Sequence, residues 1–295
     1  MKELDQAYVV HRQRLWGVCY RMLGSGIDAD EVVQDTFVRA VEHRPGADRS
    51  LWPWLAKVAV NLARDRLRRR QRRTYDGPWL PSVVATDGLP GWLRGVELGP
   101  GPEAAATTRS EVDYAWLVAL EALTPNQRAV LVLRQVLDLS SAETAQALGL
   151  SESNVRITLH RARKALEAVP TPSMADDSMT LVRFAEALRT GDLDALLAVL
   201  VPHAEATTDA GGEYHAARRI VVGAAAVARL YLGLWTKSQV WRPSPQFRQL
   251  NARPAVTLDM AEAGPGFAPR SVTLFDIRDG RIHRTWSVLA SAKLA

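Results

Sequence analysis

Seven arginines, Arg64, Arg66, Arg68, Arg69, Arg70, Arg72 and Arg73, crowd one short stretch of the chain, with Asp65 the one acidic residue among them. Guanidinium groups stay charged at any physiological pH and present forked donors that match phosphate oxygens. On a helix the run would occupy roughly 15 Å. One or two cations at a helix C-terminus answer the helix dipole. Seven repel one another and need a polyanion, so the chemistry this stretch suits is phosphate binding on a nucleic acid. A second set of residues could move protons: His203, Asp209, His215, His283 and Trp286 in the last third of the chain. They follow no catalytic spacing, and histidines beside strands are usually packed or surface groups, so enzymatic activity is not expected. The single cysteine, Cys19, excludes an intrachain disulfide and a cysteine-based zinc site, and suits a reducing cytoplasm. No metal or cofactor is expected.

Charge is distributed as the arginines suggest. Residues 1–75 hold 15 Lys and Arg against 9 Asp and Glu, whereas the rest of the chain is close to balanced. A composition with 47% hydrophobic and 23% charged residues is globular, and 295 residues suffice for two or three domains. The most apolar stretch, "IVVGAAAVARLYLGLW", is short and carries Arg229, so it reads as a core helix and no membrane span is expected.

The elements that must position these residues are helical at first. Asp28 and Glu31 form an N-cap-like pair before "VVQDTFVRAV", whose Val32, Val33, Phe37, Ala40 and Val41 fall on one face. After a break at "HRPGADRS", a helix through Trp54, Leu55, Val58, Leu62 and Leu67 leads into the arginines. Residues 76–110 are crowded with Gly and Pro and read as a linker. Helices return at 111–168 with explicit punctuation: Thr124 as cap, Pro125 at the first helical position, Gln127 three residues after the cap, then the same box at Ser140 and Glu143.

"SSAETAQALGLSESNVRITLHRARKAL" has helix-turn-helix geometry, with Gly149 ending one helix and Ser151 capping the next. Val155, Leu159, Ala162 and Leu166 face inward. Asn154, Arg156, Ile157, His160, Arg161 and Lys164 face outward, a mixture suited to base edges and phosphates. After a break at 169–176, "LVRFAEALRTGDLDALLAVL" reads as two helices joined at Gly191 and Asp192. Strands follow, the clearest a hairpin turning at Asp279 and Gly280.

"DADEVVQDTFVRA", "SLWPWLAKVAVNLARDRLRRR" and "LTPNQRAVLVLRQVLDLSSAETAQALGLSESNVRITLHRARKAL" resemble, in order and spacing, the extracytoplasmic-function type of bacterial RNA polymerase sigma factor. The resemblance implies that Asp30, Glu31, Gln34 and Asp35 bind core RNA polymerase. It implies that the loop 44–51, with Arg49 and Ser50, receives an unstacked base of the −10 element, and that Asn61, Arg64, Arg68 and Arg69 follow the opened strand. Ser151, Asn154, Arg156, His160, Arg161 and Lys164 would enter the −35 major groove of promoter DNA. Trp54 matches a core tryptophan of the family, while Trp52 stands where many relatives carry arginine; stacking on the strand and packing on the linker are both open to it.

"TYDGPWLP" resembles the linker signature of the sigma subgroup that carries a SnoaL-like C-terminal domain, and "TTDAGG" resembles that domain's Asp-Gly-Gly-Gly-Lys segment. Trp79, Leu80, Asp209, Gly211 and Gly212 are then the expected regulatory contacts. Ala210 and Glu213 depart from the segment, and the C-terminal signature is reduced to Lys293 and Leu294. The expected architecture is multidomain. Residues 1–75 and 111–168 would form two all-α sigma domains, the second a helix-turn-helix, and residues 177–295 an α+β cone-shaped barrel that regulates in cis and whose pocket is a candidate small-molecule site. The apolar linker residues Trp79, Leu80, Leu89, Trp92 and Leu93 cannot make a core of their own and should lie in a groove, which the subgroup resemblance implies is made jointly by the first helical domain and the C-terminal barrel. An alternative reading of the helix-turn-helix is a one-component transcription regulator with a sensor domain, but such a protein has no use for the first 75 residues.

Overall fold

The computed structural model describes residues 2–43, 51–70, 77–84, 113–167, 178–238, 244–260 and 262–294. Helix α1 (Lys2–Leu23) ends at Gly24, whose φ of 63° is the left-handed turn that lets α2 (Gly26–His43) begin at once. The cap of α2 is therefore Ser25, whose hydroxyl accepts from Asp28 N–H at 3.2 Å, and not Asp28 itself. The buried stripe of α2 is Ala29, Val32, Val33, Thr36, Phe37 and Ala40. Thr36 takes the place expected for Val41, because its hydroxyl donates to Val32 O at 2.7 Å and so costs nothing when buried. Val41 stands 60% exposed and Val38 55%. Cys19 is fully buried on α1, and burial pushes its thiol pKa up, so it is an inert core group.

Helix α3 (Leu51–Arg70) packs through Leu55, Ala56, Ala59, Val60, Ala63 and Leu67, the alanines permitting close approach. Trp52 lies beside α1: the Arg14 guanidinium sits 4.0 Å from its ring centroid and the His11 ring 5.5 Å away. Neither the DNA strand nor the linker is needed to cover that side of the indole.

Among the described residues four further helices follow: α4 (Tyr114–Leu120), α5 (Pro125–Leu131) running on into a π turn (Val132–Val136), α6 (Ser141–Leu148) and α7 (Glu152–Leu166). Both capping boxes form, at Thr124–Gln127 and Ser140–Glu143, and Gly149 (φ 66°) closes α6 in the left-handed region. The chain divides into two compact units, Met1–Thr74 with Leu89–Pro170 and Tyr75–Gly88 with Thr171–Ala295. The two helical segments therefore pack as one unit, and the first part of the linker belongs with the C-terminal residues.

In the C-terminal unit α8 (Ser178–Thr190) and α9 (Leu193–Val199), the latter capped by Asp192, precede β1 (Leu200–Asp209). Then come β2 (Val221–Val222), α10 (Ala224–Ser238), β3 (Ser244–Leu250), β4 (Arg253–Asp259), β5 (Arg270–Arg278) and β6 (Arg281–Val288). Among the described residues the sheet order is β2-β1-β6-β5-β4-β3, with β1 parallel to β6 and the other pairs antiparallel. This is the α+β layering expected of a SnoaL-like domain, but β2 and β3 are edges: the sheet is open and does not close into a barrel. Leu181, Phe184, Leu196, Val227, Phe275 and Ile282 form the core between helices and sheet. Asp279 (φ 52°) and Gly280 (φ 68°) make the β5–β6 turn, and Asn251 (φ 46°) with Ala252 (φ 56°) makes the β3–β4 turn.

Beside that second turn Arg253 and Asp276, 2% and 0% exposed, pair at 2.7 Å. Removing one partner of a buried pair leaves an uncompensated charge, which costs about 3–5 kcal/mol. Asp276→Asn should therefore lower the thermal unfolding midpoint of the C-terminal unit markedly; a midpoint equal to wild type would show that the pair contributes nothing.

Candidate nucleic-acid interface and linker clamp

Helix α7 carries the clearest recognition surface. Ser151 Oγ accepts from Asn154 N–H at 3.2 Å and starts the helix. Val155, Leu159 and Ala162 are buried, so Asn154, Arg156, Ile157, His160, Arg161 and Lys164 all stand exposed, as the spacing predicts; Leu166 is half-buried. Arg156 has one exposed ion pair, with Glu152 at 3.5 Å, too weak and solvated to hold it from a stronger anion.

On α3 the outcome differs from the expectation of arginines awaiting an external anion. Arg66 pairs with Asp28 and Glu31, and Arg68 reaches Asp65 at 3.2 Å and Asn126 Oδ1 at 3.1 Å. Asn61 Nδ2 donates to Ala147 O at 3.0 Å and Arg64 to Leu148 O at 3.2 Å, the last carbonyls of α6. Arg70 donates to Leu23 O at 2.7 Å, at the end of α1, and to Glu121 at 2.7 Å. Arg128, 2% exposed on α5, donates to Met22 O at 2.8 Å and shares Glu121 at 2.7 Å. Burial lowers the Arg128 pKa, and Glu121 opposes that shift. Burial likewise lowers the pKa of Arg64, with Arg68 adding to it.

A helix C-terminus presents unpaired carbonyls and the negative end of the dipole. In this unit two such ends receive guanidinium and amide groups: the end of α1 takes Arg70 and Arg128, and the end of α6 takes Asn61 and Arg64. Arg69 is exposed and forms no ion pair with the described residues. Arg49, Ser50, Arg72 and Arg73 lie outside the described residues. Glu121 and Arg128 had no role in the sequence reading; the one signal was a charged residue, Arg128, on the inward stripe of a short apolar helix.

Of the residues matched to the polymerase-facing segment, Glu31, Gln34 and Asp35 are exposed and Asp30 is half-buried, 3.7 Å from Arg12. Val38 and Val41 extend the Gln34–Asp35 surface along the same side of α2, an apolar stripe that the sequence reading placed partly inside.

In the C-terminal unit the linker is held by a buried carboxylate. Asp209, 0% exposed at the end of β1, accepts from Leu80 N–H at 2.7 Å, from Gly211 N–H at 2.8 Å and from Lys293 Nζ. Lys293 Nζ also donates to Leu80 O at 2.8 Å and lies 4.1 Å from the Trp79 ring centroid. Val83 N–H donates to Lys293 O at 3.0 Å. Val84 exchanges two bonds with Asn251, donating to its Oδ1 at 2.8 Å and accepting from its N–H at 3.1 Å. Leu80, Pro81, Ser82 and Val83 are buried. Trp79 and Leu80 thus lie in a groove, as their apolarity requires; Leu89, Trp92 and Leu93 lie outside the described residues.

The departures from the subgroup's signatures fit this clamp. Glu213 accepts from Ser291 N–H at 3.3 Å and so braces the short turn that carries Lys293. Gly211 (φ 61°) stays glycine because a Cβ there would lie 2.9 Å from that of Ala290. Gly212 (φ 79°) completes the same turn.

Asp209 is thereby committed to the clamp and is no free base. His203 and His283 face each other at 6.1 Å on β1 and β6, where burial and then Arg278 lower the His283 pKa. His215 lies apart from them, on the rim of a cavity of about 150 Å³ between α10 and the sheet. Inside it Tyr231 Oη donates to Thr285 at 2.8 Å and lies 3.3 Å from Ser287 Oγ, which is 2.9 Å from Thr273 Oγ1. Burial holds the Tyr231 pKa above its ordinary value. Only His203 and His283 of the candidate acid–base residues approach each other, and Asp209 and His215 do not join them in a common site.

A helix-turn-helix with an exposed basic face, packed in one unit with an arginine-rich helix, defines a DNA-binding protein. Family models agree: Sigma-70 region 2 matches residues 7–73, and Sigma-70, region 4 matches residues 114–166. The ECF RNA polymerase sigma factor SigJ of Mycobacterium tuberculosis is 32% identical over 94% of this chain and 88% of its own. SigG of the same organism is 36% identical over 66% of this chain and 58% of its own. The crystal structure of SigJ superposes with a TM-score of 0.73 at 28% identity, covering 98% of this chain and 97% of that one. The chain belongs to the extracytoplasmic-function family of RNA polymerase sigma factors, which bind core polymerase and promoter DNA and are not enzymes. No helix is long and apolar enough to cross a membrane among the described residues.

The clamp yields a direct test. Asp209→Asn leaves Lys293 with its ammonium mostly buried and its counter-charge gone, a loss worth about 3–5 kcal/mol. Amide hydrogen exchange at Leu80 and Val83 should accelerate by at least about tenfold; unchanged exchange would mean that apolar burial alone holds the linker.

Proposed function

We propose that this sigma factor acts in the cytoplasm, rests with its strand-binding side chains occupied from within, and is regulated in cis by its C-terminal unit through the linker clamp. The observation that carries the reading is the buried Asp209–Lys293 pair closed around Leu80. Promoter engagement separates the two DNA-binding segments onto two elements, and a linker committed to the C-terminal unit is not free to follow them. Asn61 and Arg64 must likewise exchange the carbonyls of Ala147 and Leu148 for phosphate. Any activating partner works by binding the undocked state more tightly than the docked one. Asp209→Asn should therefore raise promoter-specific transcription by reconstituted polymerase. Transcription equal to wild type, with exchange at Leu80 accelerated, would remove the C-terminal unit from regulation.

In this reading α2 docks on core polymerase through Glu31, Gln34, Asp35, Val38 and Val41, with Asp30 at its edge. The polar residues were matched by resemblance; the two exposed valines supply the apolar contact that a protein interface wants and that DNA does not. Asp35→Arg combined with Val38→Glu should weaken holoenzyme assembly at least about tenfold with little loss of stability, since both positions are exposed. Retained affinity in a folded double variant would move the interface elsewhere.

Promoter reading divides between two surfaces. Ser151, Asn154, Arg156, His160, Arg161 and Lys164 on α7 address the −35 groove, while Arg49, Ser50, Asn61, Arg64, Arg68 and Arg69 address the −10 strand. Arg156→Ala should reduce discrimination among −35 sequences, a base contact being worth about 1–3 kcal/mol, whereas Arg69→Ala should weaken binding to all sequences alike and reduce the salt slope by about one. Equal sensitivity of wild type and Arg156→Ala to −35 substitutions would deny Arg156 a reading role.

A further inference from the structure

The cavity and the linker clamp share a wall. The 150 Å³ cavity is lined by apolar side chains such as Leu188, Leu230 and Leu258, with no carboxylate, lysine or arginine on its surface and hydroxyls from Tyr231, Thr273 and Ser287 on one side. An apolar space of this size accommodates a single six-membered ring. Against it lies a second, polar cavity of about 320 Å³, and Thr208, His215, Ala216 and Ala217 line both. The remaining lining of the outer cavity includes Tyr214 and Arg218 and, from the linker itself, Gly77 and Pro78. The residues that follow Pro78 are the clamped pair Trp79 and Leu80, and the residue that follows Thr208 is Asp209. Leu289, which lines the inner cavity, donates its N–H to Asp209 O at 2.8 Å.

From this contiguity we infer that the C-terminal unit binds a neutral, ring-bearing small molecule with a short polar arm, and that the molecule strengthens linker docking. The ring fills the inner cavity, with a hydroxyl or carbonyl on it meeting the Tyr231–Ser287–Thr273 hydroxyls. The lining holds no carboxylate, lysine or arginine, so no fixed charge there would offset the desolvation of an ionised ring substituent. The arm enters the outer cavity and touches Gly77 and Pro78. A ligand that contacts the linker only in its docked position binds the docked state more tightly, and by linkage it stabilises that state. A ring without an arm fills the inner cavity and leaves the linker equilibrium unchanged.

Phenol and tyrosol, a phenol with a two-carbon hydroxyl arm, separate these two effects in the full-length protein. Both should bind saturably by isothermal titration. Saturating tyrosol should slow hydrogen exchange at Leu80, Val83 and Val84 by about tenfold, a typical coupling between linked sites, while phenol should leave it unchanged. Thr273→Phe, which fills the inner cavity, should abolish binding of both; Tyr231→Phe, which keeps the shape and deletes one hydroxyl, should weaken both and serves as the test where the larger change disturbs folding. Absence of saturable binding, binding that survives both substitutions, or tyrosol binding with unchanged exchange would each overturn the inference. It rests on the cis regulation proposed above only for its effect on transcription. If Asp209→Asn alters transcription while tyrosol neither binds nor slows exchange, the regulation stands and the ligand does not.

Discussion

Asp209 is the group on which the C-terminal half depends. A carboxylate with no exposed surface at the end of a strand has to be neutralised and hydrogen-bonded, and this one is answered from two distant parts of the chain. Leu80 supplies an N–H and Lys293 an ammonium, while Gly211 closes the turn beneath. Leu80 is buried and the Lys293 side chain only 12% exposed, so neither can leave without stranding the Asp209 carboxylate. A linker that on composition alone would wander is thus fixed for the length of residues 77–84, with Asn251 holding its far end.

The helical unit solves a related problem with the opposite sign. Of its crowded arginines, Arg64, Arg70 and Arg128 are met by the carbonyl ends of α1 and α6 and by Glu121, while Arg69 stays exposed. Helix ends are weaker anions than phosphate, since they carry about half a charge spread over several carbonyls. On the proposed reading, DNA would win these groups from the helix ends, because phosphates offer full charges and the entropy of released counterions. Burial of Arg64 and Arg128 in such contacts is what lowers their pKa values, a cost that Glu121 offsets for Arg128.

Departures from a family pattern mean little until the partner is known. Glu213 stands where the resembled signature has a lysine, yet it accepts a backbone bond that steadies the turn bearing Lys293. The C-terminal segment, in which only Lys293 and Leu294 match the resembled signature, keeps the residue whose charge the buried Asp209 meets. The sheet stays open because β2 is only two residues long and β3 lies at the far side, so no edge-to-edge pairing is available.

Sequence alone determined everything that depends on local periodicity or a short-range bond. The capping boxes at Thr124 and Ser140, the left-handed Gly149, the inward Val155–Leu159–Ala162 stripe with its exposed basic face, and the Asp279–Gly280 turn are all set within a few residues, and all form as read. Matching motifs also pointed to Trp79, Leu80 and Asp209. What tertiary structure decided is which charge meets which. Nothing near Arg70 in sequence says that it shares Glu121 with Arg128, and nothing near Lys293 says that its partners are 84 and 213 residues away. Val41 missed the core by one step of a helix whose start was set by Ser25 and Gly24, and Trp52 found its cover on α1. Such pairings are chosen by where helices cross and chains return, because electrostatic and packing energies depend on distance in space, and spacing along the chain carries no record of it.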